Sequence, residues 1–357
     1  MPTTYVVCID GTWNAPGQTD TDPVTDEESV PTQTNVAKLW EALTGRTLAS
    51  ERPYGVVASL KNSPGVAIYL NGVGSAGSLI SKKFEGATGT GTSERIRDAY
   101  RFLAERWVDG DQIFGFGFSR GAFAIRSLVG LIEFVGLPRW PSLIKEDELS
   151  NLYRAYQSHD PAPNLSWMQP CEINFLGLWD TVGSLAFGDT FNNFHRLNPL
   201  NVRKICHALA LDEQRRQFQP TFFESNYAGH TVEQVWFAGA HSNIGGGYSN
   251  ANLSNIALFW MLRKASEAGL KAELQDIRGY NFETVQRVRD SWAEFWRDLK
   301  VVGEFIENRG WQKVPRMIPD GHKVHESVLE AMQKIAYVPI AQRSGAPIDA
   351  AVEPWGF

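Results

Sequence analysis

Short apolar runs, most of them closed by turn-forming or acidic residues, alternate along this chain with longer stretches of helical spacing. Tyr5 to Ile9 (YVVCI) is a β-branched run ended by Asp10-Gly11, and Val66 to Leu70 (VAIYL) is ended by Asn71-Gly72. Both read as buried strands. Ser93 to Trp107 places Ile96, Tyr100, Leu103 and Trp107 on one side, the spacing of an amphipathic helix with Ser93 as its N-cap. Gln112 to Phe118 (QIFGFGF) is a third strand, followed by a helix over Arg120 to Ile132. Ile173 to Trp179 (INFLGLW) and Val232 to Phe237 (VEQVWF) are a fourth and a fifth, and Ser254 to Ala268 is a later helix. Strands alternating with helices imply a mostly parallel sheet covered on both faces.

Two stretches interrupt the alternation. Residues 138–170 are polar and punctuated by proline, and read as an insertion over one end of the sheet. Residues 279–319 are Trp-rich with a helical pattern, either a cap or lid or ordinary peripheral packing. No repeat, low-complexity tract or long linker divides the chain, so the expectation is one domain over residues 1–357 with these two insertions.

Composition narrows the classes. Hydrophobic residues make up 43% and charged residues 21% of 357 residues, a globular balance with a large core. The net charge of −6 and the lack of a basic run disfavour nucleic acid and anionic membrane as partners. Cys8, Cys171 and Cys206 are odd in number and far apart, which suggests neither a zinc knuckle nor a disulfide framework. No basic-then-apolar leader is seen, and no window approaches eighteen uninterrupted apolar residues. A cytoplasmic chain is expected; export by machinery that reads no N-terminal signal would look the same.

The sharpest chemical signal is Gly117-Phe118-Ser119-Arg120-Gly121, which fits G-x-S-x-G. The bare pattern is weak, but an apolar strand precedes it and a helix follows. That is the context in which a serine sits at the apex of a strained strand-to-helix turn, with flanking glycines removing side chains that would collide. A serine hydroxyl needs a base, and the base an orienting carboxylate, in the order Ser, acid, His for this fold. Six histidines could follow a downstream acid: His195, His207, His230, His241, His322 and His325. His241 is preferred because it follows a strand-like run and precedes Ser242-Asn243-Ile244-Gly245-Gly246-Gly247. Asp180 ends the INFLGLW run and is the matching acid, against the plainer role of a turn residue. Asp212, in a segment that reads as helix, is the runner-up.

The oxyanion site is expected from the backbone N–H of Arg120, with Gly11 or Thr12, after the first strand, giving the second donor. Two other signals fail on detail. Cys8-Ile9-Asp10-Gly11-Thr12 lacks the first aspartate of a D-x-D-G-T phosphatase motif. Gly86 to Ser93 (GATGTGTS) lacks the Gly-Lys-Ser/Thr of a phosphate loop and reads as a flexible loop feeding a helix.

Together DGTWN, GDQIFGFGFSRGAFAIRSLVG, FLGLWDTVGS, HALALDEQRRQFQPT, GAHSNIGGGY and VHESV resemble domain-of-unknown-function family 2235, from about Tyr5 to Val328. That is an α/β-hydrolase family which includes phospholipase effectors of bacterial type VI secretion. The resemblance implies an α/β-hydrolase-like fold with helical insertions and an esterase- or phospholipase-like activity, its nucleophile, acid and base at Ser119, Asp180 and His241. Some effector members carry a long additional C-terminal membrane-binding domain, which this chain does not show, so lipid toxicity is not carried over. The expected function is serine-dependent cleavage of a small-molecule or lipid carboxylic ester without cofactor or metal. The contrasting reading is a binding module that keeps the fold without the chemistry.

Overall fold

The computed structural model describes residues 2–12, 14, 18–20, 30–48, 54–73, 90–141, 143–183, 199–224, 231–272, 288–293, 313–340 and 351–355. Among them a nine-stranded sheet forms the centre: β1 (Thr4–Ile9), β2 (Val56–Ser59), β3 (Gly65–Leu70), β4 (Gln112–Phe118), β5 (Ile173–Trp179), β6 (Val202–Ala210), β7 (Thr231–Phe237), β8 (Lys323–His325) and β9 (Ala351–Glu353). Its order is β9-β8-β7-β6-β5-β4-β1-β3-β2. All neighbours are parallel except β2, which pairs antiparallel with β3.

The period-two alternation of the strands sorts their side chains into two cores. Val6 and Cys8 of β1, Phe114, Phe116 and Phe118 of β4, and Phe175 and Trp179 of β5 point to one face. There they pack against α1 (Asn35–Thr44) and the long helix Asn252–Glu267. Tyr5, Val7 and Ile9, Ile113, and Leu176 and Leu178 point to the other. That face is covered by α2 (Thr90–Ala104), α3 (Arg120–Val135) and α4 (Glu146–Ser158). The central strands are buried on both sides, which is why they read as nearly continuous apolar runs. This is the α/β-hydrolase-like architecture, a mostly parallel sheet with helices on both faces.

The structure departs from expectation in two places. Residues 202–210 form β6, where the run continuing into Asp212 reads as helix. VRKICHALA carries helix-forming residues, but pairing with β5 and β7 and burial on both faces override propensity. Helix α2 begins at Thr90, so the last four residues of GATGTGTS form its first turns rather than a loop. Within 138–170, α4 packs on the α3 face, and Met168–Gln169 pairs back onto Leu137–Pro138. Most of 279–319 lies outside the described residues; its ends at 288–293 and 313–319 do not. Among the described residues no helix is long and apolar enough to cross a membrane.

The chain lays down β2 and β3 on one side of β1, then crosses to place β4 on its other side. The crevice at the carboxyl ends of β1 and β4 is therefore the topological switch point, the place where open α/β sheets bind ligands.

Candidate active site

Ser119 follows the last residue of β4 and is the N-cap of α3, with φ 57° and ψ −122°. A non-glycine residue is held in this conformation only when its surroundings enforce it. The flanking glycines show how. A Cβ on Gly117 would lie 2.6 Å from Gly121 O, and one on Gly121 would lie 2.2 Å from Ile9 O. The helix thus enters against the end of β1, and the Ser119 hydroxyl stands at the strand ends.

Asp180 follows β5, also with positive φ (43°), and His241 begins a short helix, α5 (His241–Gly245), after β7. The three side chains meet. Ser119 Oγ lies 2.8 Å from His241 Nε2, and His241 Nδ1 lies 2.5 Å from Asp180 Oδ2. The tautomer that satisfies both contacts has Nδ1–H donating to the carboxylate and the serine O–H donating to Nε2. The imidazole sits between Phe118, at 4.6 Å between ring centroids, and Phe218, edge-on at 4.9 Å.

Electrostatics favour a neutral base beside an ionised acid. Burial pushes the His241 pKa below its ordinary value, against the opposing pull of Asp180. Burial alone would raise Asp180, but the charge of Arg316 and the hydrogen bonds from His241 and Arg316 overcome it. They hold the carboxyl well below the usual range. Arg316 donates to both carboxylate oxygens, from Nη1 to Oδ1 at 2.6 Å and from Nη2 to Oδ2 at 3.0 Å; Ala210 N also donates to Oδ1, at 3.0 Å. A second buried carboxylate, Glu213, accepts from His241 N at 3.3 Å and Ser291 Oγ at 3.0 Å. Burial opposes its ionisation, yet Arg215, paired through Nε and Nη2, holds its pKa down to about 2.

The loop after β1 lies directly beside Ser119, since a methyl at Gly11 would come 3.2 Å from Ser119 Cβ and 2.7 Å from Asn14 Nδ2. Asp10 organises this loop. Its carboxylate accepts from Gly11 N at 2.7 Å, Thr34 Oγ1 at 2.7 Å and Tyr69 OH at 2.6 Å. The Gly11 N–H, one of the expected oxyanion donors, is turned to the Asp10 side chain in this structure. Thr12 stays beside the site, with a buried hydroxyl that has no partner among the described residues. Arg120, the other expected donor, opens α3 immediately after Ser119.

The remaining candidates are placed elsewhere. Asp212 accepts from Gly239 N at 2.7 Å, Ile340 N at 2.9 Å and the Tyr337 hydroxyl, which makes it a brace for the loop before His241. His207 accepts from Thr181 N at 3.1 Å, His322 contacts Gln234 and Trp236, and His325 caps a helix, α7 (Glu326–Lys334). His195 and His230 lie outside the described residues. Sequence reasoning missed Arg316 and Glu213. No local pattern marks Arg316, whereas Glu213 is adjacent to Asp212 and shares its position at a strand end. Among the described residues no group of three or more His, Cys, Asp or Glu is arranged to hold a metal ion.

The family model described as "T6SS, Phospholipase effector Tle1-like, catalytic domain" matches residues 3–264. An uncharacterized protein of Saccharomyces cerevisiae is 27% identical over 223 residues, 51% of this chain and 32% of that protein. The chain thus spans about a third of the length of this curated relative. An uncharacterized protein from Pseudomonas aeruginosa has a similar structure, with TM-score 0.43 and 18% identity, over 85% of this chain and 51% of that one. The Tle1 effector bound to the VgrG spike of the type 6 secretion system gives 0.37 and 20%, over 70% and 52%. Thermogutta terrifontis esterase 2 gives 0.36 and 15%, over 76% and 86%.

Proposed function

The chain belongs to the family of Tle1-like phospholipase effector catalytic domains of type VI secretion, and from that membership we propose that it is a serine hydrolase cleaving a carboxylic ester, of a lipid or a smaller molecule, through an acyl-enzyme. The observation that carries the reading is the unbroken relay from Ser119 Oγ through His241 to Asp180, with contacts of 2.8 and 2.5 Å.

In the proposed cycle His241 Nε2 takes the Ser119 proton as the oxygen attacks the acyl carbonyl. The carbonyl electrons move onto oxygen. The backbone N–H groups of Arg120 and Thr12 receive that charge at the positive end of α3. His241 then gives its proton to the departing alcohol. Water, deprotonated by the same nitrogen, attacks the acyl-serine and releases the acid. Asp180 stays ionised throughout and stabilises the imidazolium. The residues present supply each proton transfer, and no step calls on a cofactor.

A chain-length series of p-nitrophenyl esters, run beside phospholipid vesicles, tests the activity and its substrate range. Ser119→Ala is expected to lower ester turnover by about 10⁴-fold or more, and to abolish labelling by a fluorophosphonate. A Ser119→Ala protein that keeps most of its activity removes Ser119 from the mechanism. A folded wild-type protein that takes no label and cleaves no ester points instead to a binding module on this fold.

A further inference from the structure

Building on the relay reading, we propose that Arg316 is a positioning residue of the active site: it clamps both oxygens of Asp180, so that Oδ2 faces His241 Nδ1, and makes the C-terminal part of the chain a component of the catalytic centre.

Three observations lead there. First, Arg316 is 1% exposed and Asp180 is fully buried, so this guanidinium does not belong to a surface ion pair. Second, the clamp is two-pronged and its other side is fixed. Arg316 Nη1 also donates to Ala210 O at 2.7 Å, and Nη2 also donates to Phe218 O. Only a planar fork satisfies two carboxylate oxygens and two carbonyls together. Third, the segment carrying it is laced to the strand-end loop after β6. Val314 N donates to Gln214 O at 2.7 Å, Gln219 Nε2 donates to Val314 O at 3.1 Å, and Lys313 bridges to Arg215. Ser291, from the other described end of the 279–319 stretch, donates to Glu213, which itself accepts from His241 N.

The arrangement carries a consequence for the base. The charged groups facing the imidazole are Asp180 from the end of β5, Glu213 and Arg215 from the loop after β6, and Arg316 from the C-terminal segment. These form two compensated pairs. Asp180 therefore lends His241 less charge stabilisation than an unpaired carboxylate would, and the imidazole stays neutral to lower pH. Removing the Arg316 cation leaves Asp180 uncompensated and stabilises the imidazolium. The acidic limb of the activity profile then moves up in pH. A role confined to folding would lower the yield of active protein without moving that limb.

The experiment measures kcat and KM for a p-nitrophenyl ester across pH for wild type, Arg316→Gln and Arg316→Lys, with a thermal melt for each and Ser119→Ala alongside. Arg316→Gln is expected to lower kcat about 10- to 100-fold with little change in KM, and to raise the acidic limb by about half a pH unit or more. Arg316→Lys restores the charge but not the fork. Its limb is expected to return to the wild-type position while part of the kcat loss remains. A folded Arg316→Gln protein with an unmoved limb, or with wild-type kcat, overturns the proposal. If Arg316→Gln does not fold, Arg316→Lys decides: wild-type kcat overturns the clamp, and a several-fold loss with the limb in place supports it. Activity surviving in Ser119→Ala would instead undo the relay reading, a failure distinct from that of the clamp.

Discussion

Position 119 concentrates the demands that the fold makes on single residues. Its left-handed backbone exists because α3 enters so close to β1 that residues 117 and 121 have no room for a side chain. Gly121→Ala would drive a methyl into Ile9 O, which is backbone and cannot rotate aside. The expected cost is roughly 2–4 kcal/mol, read as a lower urea midpoint; an unchanged midpoint would mean that the turn relaxes. Ser119, Asp180 and His241 were legible as neighbours in the sequence because Ser119 and Asp180 each follow an apolar strand directly and His241 follows one after three residues. Arg316 was not. It lies in an irregular segment, and its role arises only from packing against residues far away in the chain. The direction of the Gly11 N–H was not legible for a similar reason, since the geometry of the neighbouring Asp10 carboxylate decides where it points.

At the level of elements, α1 braces the helix that carries His241. Thr34 caps it by accepting from Ala37 N, and the same hydroxyl donates to Asp10, which ties the helix start to the loop beside the nucleophile. Asn35 Nδ2 donates to Ile244 O at 2.8 Å and to Ser254 O at 2.7 Å. The first acceptor lies in α5, the helix that carries His241. The second lies in the longer helix behind it, α6 (Asn252–Glu267). Asn35→Ala would leave two buried carbonyls without that donor, a loss of about 1–3 kcal/mol. Because α5 loses an anchor, kcat for ester cleavage is expected to fall more than KM changes; equal kcat and stability would show that α5 stands without the brace. Five strands could be read from the sequence because β-branched and aromatic runs stop at small or turn-forming residues: Asp10, Asn71, Ser119, Asp180 and Ala238-Gly239. β6 was missed because its alanines, leucine and lysine suit a helix equally well. β8 and β9 are three residues each, too short for alternation to show.

For the molecule as a whole, buried imidazoles set the acid limit of stability. Burial lowers the pKa of His207 to about 3, His322 to about 4 and His325 to about 3. The unfolded chain takes up these protons near pH 6.5, while the native state refuses them. Stability from these groups is therefore complete above about pH 6.5 and drains away as pH falls, by up to about 1.4 kcal/mol per pH unit for each histidine. Asp10 acts in the opposite sense. Burial raises its pKa to about 6, so the native state binds its proton first and gains on the unfolded chain between about pH 6 and 4. One histidine is thus offset and two are not. Urea midpoints measured from pH 7.5 to 4.5 are expected to decline steadily from about pH 6.5; a flat profile down to pH 5 would contradict the assignment.

The place of Arg316 after Ser119, Asp180 and His241 along the polypeptide also has a meaning for biosynthesis. Ribosomes release the chain from its N-terminus, so residues 119, 180 and 241 emerge long before the guanidinium that neutralises the acid. Until then the nascent domain must keep a desolvated aspartate without its counter-ion, or leave that end of the sheet open to water. The emerging protein therefore cannot complete this cluster until residue 316 has left the ribosome.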